Sequence, residues 1–289
     1  DEDRRKVVLP TYPYGRNRYW IDPPKGARGR PQNVDAETVR DVADWFHVPV
    51  WHQQPRPAVA SRTADWLLFA DRSGVGEALA ERLRARGDRT ILVVAGDAYA
   101  RSGGSVALRP DAPEDYVRLV GELAADGGLP QGIVHAWCCD PSGDDYVSAQ
   151  ARGFYSLLFL AQALGARPDP SPLALTVLSS GLADVTGAEA LDPIKASVLG
   201  PAKVVPQEYP DIACRQIDVQ PADPAHGAAA LQALARDVVA ELDAPHEPGV
   251  RVALRGAHRW VSRYASVPLA AQAGAGEQPW RESATYLIT

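Results

Sequence analysis

The chain contains no methionine, only three cysteines and only four phenylalanines in 289 residues. Cys138, Cys139 and Cys214 form neither an even disulfide framework nor a metal-spaced set, which argues against a stapled secreted scaffold and a zinc ribbon. They read as buried, reduced thiols in a cytosolic protein. No stretch approaches the roughly 20 apolar residues that a membrane span requires. The opening Asp1-Glu2-Asp3-Arg4-Arg5-Lys6 holds no signal-peptide core. There is no basic stripe, and net charge is −6, so a nucleic-acid partner has no support. His47, His52, His226, His246 and His258 lack ligand spacing and suggest no metal site. No repeat of solenoid length is present. What remains is ordinary globular composition, 46% hydrophobic and 23% charged, at a length that allows one large domain with appendages. A chain without methionine that opens on charge and ends on the apolar Tyr286-Leu287-Ile288-Thr289 is expected to be a piece of a longer protein.

Residues 7–22 are rich in aromatics and proline without helical or strand periodicity, and such an arm finds stability by packing rings on a neighbouring surface. Residues 23–34 read as an exposed Pro/Gly linker, followed by a short amphipathic helix over Asp35–Trp45. From Val48 the pattern alternates strand and helix. Val48–His52 is strand-like, with Pro49 confining it to an edge or a strand start. Trp66–Ala70, Thr90–Ala95, Gly132–Trp137, Leu173–Leu178 and Ala213–Val219 are further strands, several of them continuously apolar as when both sheet faces are covered. Helices are predicted from Gly74 to Arg86, stopped by Gly87, and from a capping box at Asp111–Glu114 through Leu123. Two more are predicted over Tyr146–Leu164, with Phe154, Leu157, Leu158, Ala161 and Leu164 on one face, and over Ala225–Leu242. Residues 251–262 return to strand character and 267–280 read as a second linker. This alternation predicts an α/β, Rossmann-like, mostly parallel sheet with helices on both faces.

Four places invite chemistry. The turn Ala70-Asp71-Arg72-Ser73-Gly74-Val75-Gly76 lies where a doubly wound fold puts its phosphate loop. Two glycines serve any tight strand-to-helix turn, and Asp71 would set negative charge beside a phosphate. Ser179 and Ser180 end a strand, with Lys195 downstream as a surface or interdomain charge. His135 reads as a satisfied core histidine beside Trp137. The stretch 200–210 reads as a helix end stopped by Pro206, then a docking loop. No catalytic, cofactor-binding or metal-ligating residue is assigned.

The framework resembles a short-chain dehydrogenase, whose turn reads T-G-x-x-x-G-x-G and whose reduction uses a serine and Y-x-x-x-K. Here Ala70 stands at the leading glycine, and Leu191-Asp192-Pro193-Ile194-Lys195 puts leucine in the tyrosine slot. In related ketoreductases the run after His135 is small and meets the nicotinamide ribose; an indole at Trp137 would fill that space. Leu9-Pro10-Thr11-Tyr12-Pro13-Tyr14-Gly15-Arg16-Asn17-Arg18-Tyr19-Trp20 resembles the linker that follows the acyltransferase in type I polyketide synthases. Asp44–Trp51, Phe154–Leu158, Val198–Pro201 and Val205–Pro210 resemble hallmarks of the structural subdomain of their ketoreductases.

The resemblance implies a post-acyltransferase linker at 1–22, a linker with a short helix at 23–44 and the structural subdomain at 45–266. A linker at 267–282 and the first strand of a catalytic subdomain at 283–289 would follow. It implies a non-catalytic half, binding no cofactor itself, that braces a downstream half reducing a β-ketoacyl group with NADPH. The implied partners are that catalytic subdomain and the acyltransferase region, with acyl carrier protein reached indirectly, in the cytoplasm. Two rivals stand: an autonomous NADPH reductase with a divergent site, and an interdomain docking module using 146–164 or 200–210.

Overall fold

The computed structural model describes residues 45–58, 63–141, 143–168, 171–220, 227–245, 247–267 and 285. Nearly all belong to one compact unit, His47–Ala265. The expected arm at 7–22, both linkers apart from Val267, the helix at 35–45 apart from Trp45, and the strand at 286–289 lie outside the described residues.

The unit is a ten-stranded sheet in the order β1-β10-β9-β8-β7-β6-β2-β3-β5-β4. Its strands are β1 His47–Gln54, β2 Asp65–Phe69, β3 Arg89–Ala95, β4 Ala100–Ser102, β5 Ser105–Leu108, β6 Gly132–Cys138, β7 Leu173–Ser180, β8 Ile212–Val219, β9 Arg251–Arg255 and β10 His258–Ser266. From β9 through β5 every neighbour pairs in parallel, and antiparallel hairpins close the flanks at β9–β10 and β4–β5. β1 lies at the outer edge, where Pro49 restricted it.

Side-chain alternation divides the core. Leu67 and Phe69 face one layer with Ile133, Leu175 and Val177, beneath α2 (Pro113–Ala125), α4 (Ser156–Gly165) and α5 (Leu199–Glu208). Trp66 and Leu68 face the other with Val134, Leu178 and Ile217, beneath α1 (Val75–Arg86) and α6 (Gly227–Asp243). Helices therefore cover both faces, as the continuous apolar strands require. Gly87 ends α1 in the left-handed conformation at φ 100°, with its N–H returned to the helix.

Three local expectations are corrected. The capping box at 111–114 does not form: Ala112 is the extended N-cap, Pro113 opens α2, and buried Asp115 reaches back to the Arg109 amide at 3.0 Å and guanidinium at 2.7 Å. The single helix over 146–164 is α3 (Tyr146–Gln150), a π-turn (Ala151–Tyr155) and α4. The wider π-turn rotates the face beyond it, burying Leu157, Leu160, Ala161 and Leu164 while Phe154 and Leu158 stay half-exposed. Pro206 lies inside α5 and does not stop it, because only the last two residues follow it and buried Val205 anchors that turn. The β4–β5 hairpin was not foreseen. Among the described residues, no helix is long and apolar enough to cross a membrane.

Candidate functional site at the carboxyl ends of the strands

Strand order reverses between β2 and β6: β2 leads through α1 to β3 on one side, while α2 carries the chain back to β6 on the other. Open α/β sheets place ligands in the crevice outside such a switch point.

The β2–α1 turn forms one wall. Gly74 takes φ 90°, a left-handed conformation that costs glycine little. Gly76 has a packing role, because a Cβ there would lie 2.6 Å from the Ala70 Cα. Asp71 is buried, and its carboxylate accepts from the amides of Gly76 at 2.7 Å, Ser73 at 3.0 Å and Val75 at 3.4 Å, and from the Ser73 hydroxyl. The first amides of α1 are thus satisfied by a side chain three residues before the N-cap.

β6 forms the opposite wall. Its register to β7 runs His135↔Val177 and then Cys138↔Ser179, so β6 advances three residues against two: a bulge at Ala136–Trp137. Buried Trp137 donates from Nε1 to the Ala70 carbonyl at 3.1 Å, across the crevice, and meets Phe69 and His135 edge-on at 5.2 and 5.3 Å. His135 contacts the Ser156 hydroxyl through Nε2 at 2.8 Å. Ser156 gives its own proton to a carbonyl of the π-turn, nearest Arg152 O at 2.6 Å, so His135 carries its proton on Nε2. Burial pushes the imidazole pKa down to about 3. His135 is a core histidine as expected but is not fully satisfied: Nε2 is paired, while its buried Nδ1 has no partner among the described residues.

An ion-pair cluster fastens the rim. Arg72 binds Asp140 through its amide at 2.6 Å and Nε at 2.9 Å, and Asp144 through its guanidinium at 2.8 Å. Arg152 of the π-turn joins the same two carboxylates. Sequence reasoning missed this cluster; the only signal was a pair of opposite charges, Arg72 and Asp140, just after two neighbouring strands.

At the end of β7, Ser179 donates to Asp218 at 2.7 Å and accepts from Gln216 at 2.8 Å. Ser180 contacts the Cys139 carbonyl and the Lys195 amine. Lys195, expected as a surface or interdomain charge, is half-buried and turned toward the strand ends. Its amine donates to the carbonyls of Asp140 at 2.6 Å and Ser180 at 3.3 Å, tying the short 3-10 turn Pro193–Val198 to the strand ends. Leu191, in the tyrosine slot, is 51% exposed and has no group to give or take a proton.

The cleft left between the β6 loop, the π-turn and the 3-10 turn is about 90 Å³, against the roughly 300 Å³ at which small-molecule sites begin. The thiols nearby are quenched. Burial raises Cys138 to about 12 and lifts Cys139 well above the usual thiol range. Among the described residues no group of three or more His, Cys, Asp or Glu is placed to hold a metal ion.

Comparison with known proteins narrows the context. The family described as beta-ketoacyl synthase-like, N-terminal, matches residues 65–237. Polyketide synthase GfsA of Streptomyces halstedii is 28% identical over 208 residues, 71% of this chain and 3% of that protein. Erythronolide synthase EryA3 of Saccharopolyspora erythraea is 30% identical over 234 residues, 81% of this chain and 6% of that protein. The chain therefore spans a small part of the relatives it matches. Among solved structures, an adenylation, ketoreductase and pseudo-Asub multidomain structure aligns at TM-score 0.72 and 24% identity, over 84% of this chain and 20% of that one. An N-terminal ketoreductase from the macrolactin assembly line aligns at TM-score 0.60 and 19% identity, over 77% and 44%. These likenesses establish the Rossmann-like fold.

Proposed function

Since the chain belongs to the beta-ketoacyl synthase-like, N-terminal family and is a fragment of a type I polyketide synthase, we propose that it is the non-catalytic structural half of a ketoreductase. In this reading residues 45–266 brace a second, catalytic half that reduces a β-ketoacyl group with NADPH. The arm at 7–22 docks on the acyltransferase region of the same chain. The observation that carries the reading is the bond from Trp137 Nε1 to the Ala70 carbonyl. It lies across the crevice in which a catalytic relative would hold its dinucleotide.

The residues present do not fit that cofactor. An indole fills the crevice, a carboxylate occupies the start of α1, and the Arg72–Asp140 pair ties the two walls together. Leu191 supports the same reading, because a reductase needs a general acid at the alkoxide it forms. A condensing-enzyme reading, raised by the family's description, would need a reactive thiolate. Burial holds Cys138 and Cys214 near 12 and raises Cys139 well above the usual thiol range, which speaks against it. Mechanistically, the domain contributes a preorganised surface and leaves proton and hydride transfer to its neighbour.

Fluorescence titration with NADPH tests this. No saturable change is expected up to millimolar cofactor, whereas saturation in the low-micromolar range would overturn the reading. Adding this chain in trans to a separately expressed catalytic half should raise that half's thermal stability.

A further inference from the structure

The start of α1 and the turn before it form a nest of donors, and the chain fills it with its own anions. Between residues 72 and 76, the amides of Ser73, Val75 and Gly76 point at the Asp71 carboxylate, and the Arg72 amide points at Asp140 Oδ1, 2.6 Å away. The Ser73 hydroxyl adds a further donor to Asp71. The two carboxylates come from opposite walls of the crevice, Asp71 from the end of β2 and Asp140 from the loop after β6.

Donors arranged in this way at the first turn of a doubly wound fold are suited to phosphate oxygens, because converging amides and the positive end of the helix both favour an anion. A carboxylate makes the same demands with a smaller charge. Being tethered, it competes at an effective concentration that a free ligand reaches only at millimolar levels or above. An incoming phosphate would find its donors engaged, with the Asp71 carboxylate beside them and the nearby Arg72 and Arg152 guanidinium groups already paired with Asp140.

We propose that Asp71 and Asp140 are internal replacements for the two phosphates of a dinucleotide, and that these carboxylates keep phosphate-bearing ligands out. The substitution of glycine by Ala70 is secondary. This rests on the cofactor-free reading above and adds to it the residues responsible and the ligand class refused.

The test uses the full chain, inorganic pyrophosphate as probe, and thermal unfolding at constant ionic strength. The wild type should show no pyrophosphate-specific shift. Asp71→Ser, which keeps a short helix-capping side chain, should gain about 2–4 °C at saturating pyrophosphate. Asp71→Ser with Asp140→Ala should gain more, and Ala70→Gly alone should gain nothing. If circular dichroism shows the Asp71 variants unfolded, Asp140→Ala alone decides, because it removes the acceptor and frees the Arg72 amide: a gain supports the proposal and no gain overturns it. Folded variants without a gain, or a gain from Ala70→Gly alone, also overturn it and leave the cofactor-free reading intact. A wild type that is itself stabilised by pyrophosphate and saturates with NADPH overturns both.

Discussion

Arg255 places its Nη2 2.6 Å from Oδ2 of Asp218, and both groups are buried. All five N–H groups of this guanidinium are engaged. Nε donates to Glu189, Nη1 to the carbonyls of Asp218 and Leu254, and Nη2 to the Ala183 carbonyl as well as to Asp218. Asp218 in turn accepts from Ser179 and from the amides of Leu182 and Ala183. The loop 181–192, which carries the vacated tyrosine slot, is pinned at its base by Asp192 N–H to the Gly181 carbonyl at 2.8 Å and inside by this pair. A catalytic loop has to admit a substrate; this one is bolted to the sheet.

Breaking one side of the pair strands a buried charge. Arg255→Met or Asp218→Leu alone should cost about 3–5 kcal/mol in urea unfolding. The double substitution should recover part of that loss, because the fully buried Asp218 charge goes with its partner and only the half-buried Glu189 is left without the guanidinium. Additive losses would show that the two residues act independently.

Leu191→Tyr restores the hydroxyl of the slot but leaves Trp137, Asp71 and the Arg72–Asp140 pair in place. It should show no NADPH-dependent reduction of a β-ketoacyl thioester above the wild-type background. Turnover by this single variant would show that the crevice is open.

His135 sets an acid limit. Its folded pKa is about 3 against 6.5 for the free group, so between those values the unfolded chain binds one more proton than the folded one. Stability therefore rises with pH in that window and is lost as pH falls below 6.5, by at most about 1.4 kcal/mol per unit from this group. His135→Phe should flatten the decline in urea midpoint between pH 6.5 and 4. A decline as steep in the variant would assign it to carboxylates alone.

The thiols should be silent in the native state. With Cys138 and Cys214 near 12 and Cys139 also raised well above the usual thiol range by burial, a thiol-reactive disulfide reagent at pH 8 should label none of the three quickly, and all three after denaturation. Rapid labelling of the native chain would mean that the β6 end opens.

The central strands and the helix between β2 and β3 were legible in the sequence, because continuous apolar runs and a terminal glycine report burial and termination locally. The switch-point topology followed from their alternation. The β4–β5 hairpin was not legible: its strands have three and four residues, and the Gly103–Gly104 turn reads as a plain loop. The π-turn was hidden because one extra residue in a helix leaves the apolar count unchanged and only rotates the face. At the candidate site, the vacated slots at 70 and 191 were visible as residue types. Trp137 as a bulky residue in the nicotinamide space was visible too, but the Trp137–Ala70, Arg72–Asp140 and Asp218–Arg255 contacts were not, since they join residues 37 to 68 positions apart. The inward contacts of Lys195 were hidden for the same reason: its carbonyl partners come from two other strand ends.

The two flanks of the sheet bear on life inside a very long polypeptide. Strand edges are templates for pairing, and domains tethered in one chain meet each other's edges far more often than free proteins do. Here one flank is β1, in which Pro49 removes a backbone donor, and the other is β4, only three residues long. A neighbouring sheet that collides with either finds little to zip onto. Such blunted margins let a domain sit beside others of similar architecture and still fold by itself.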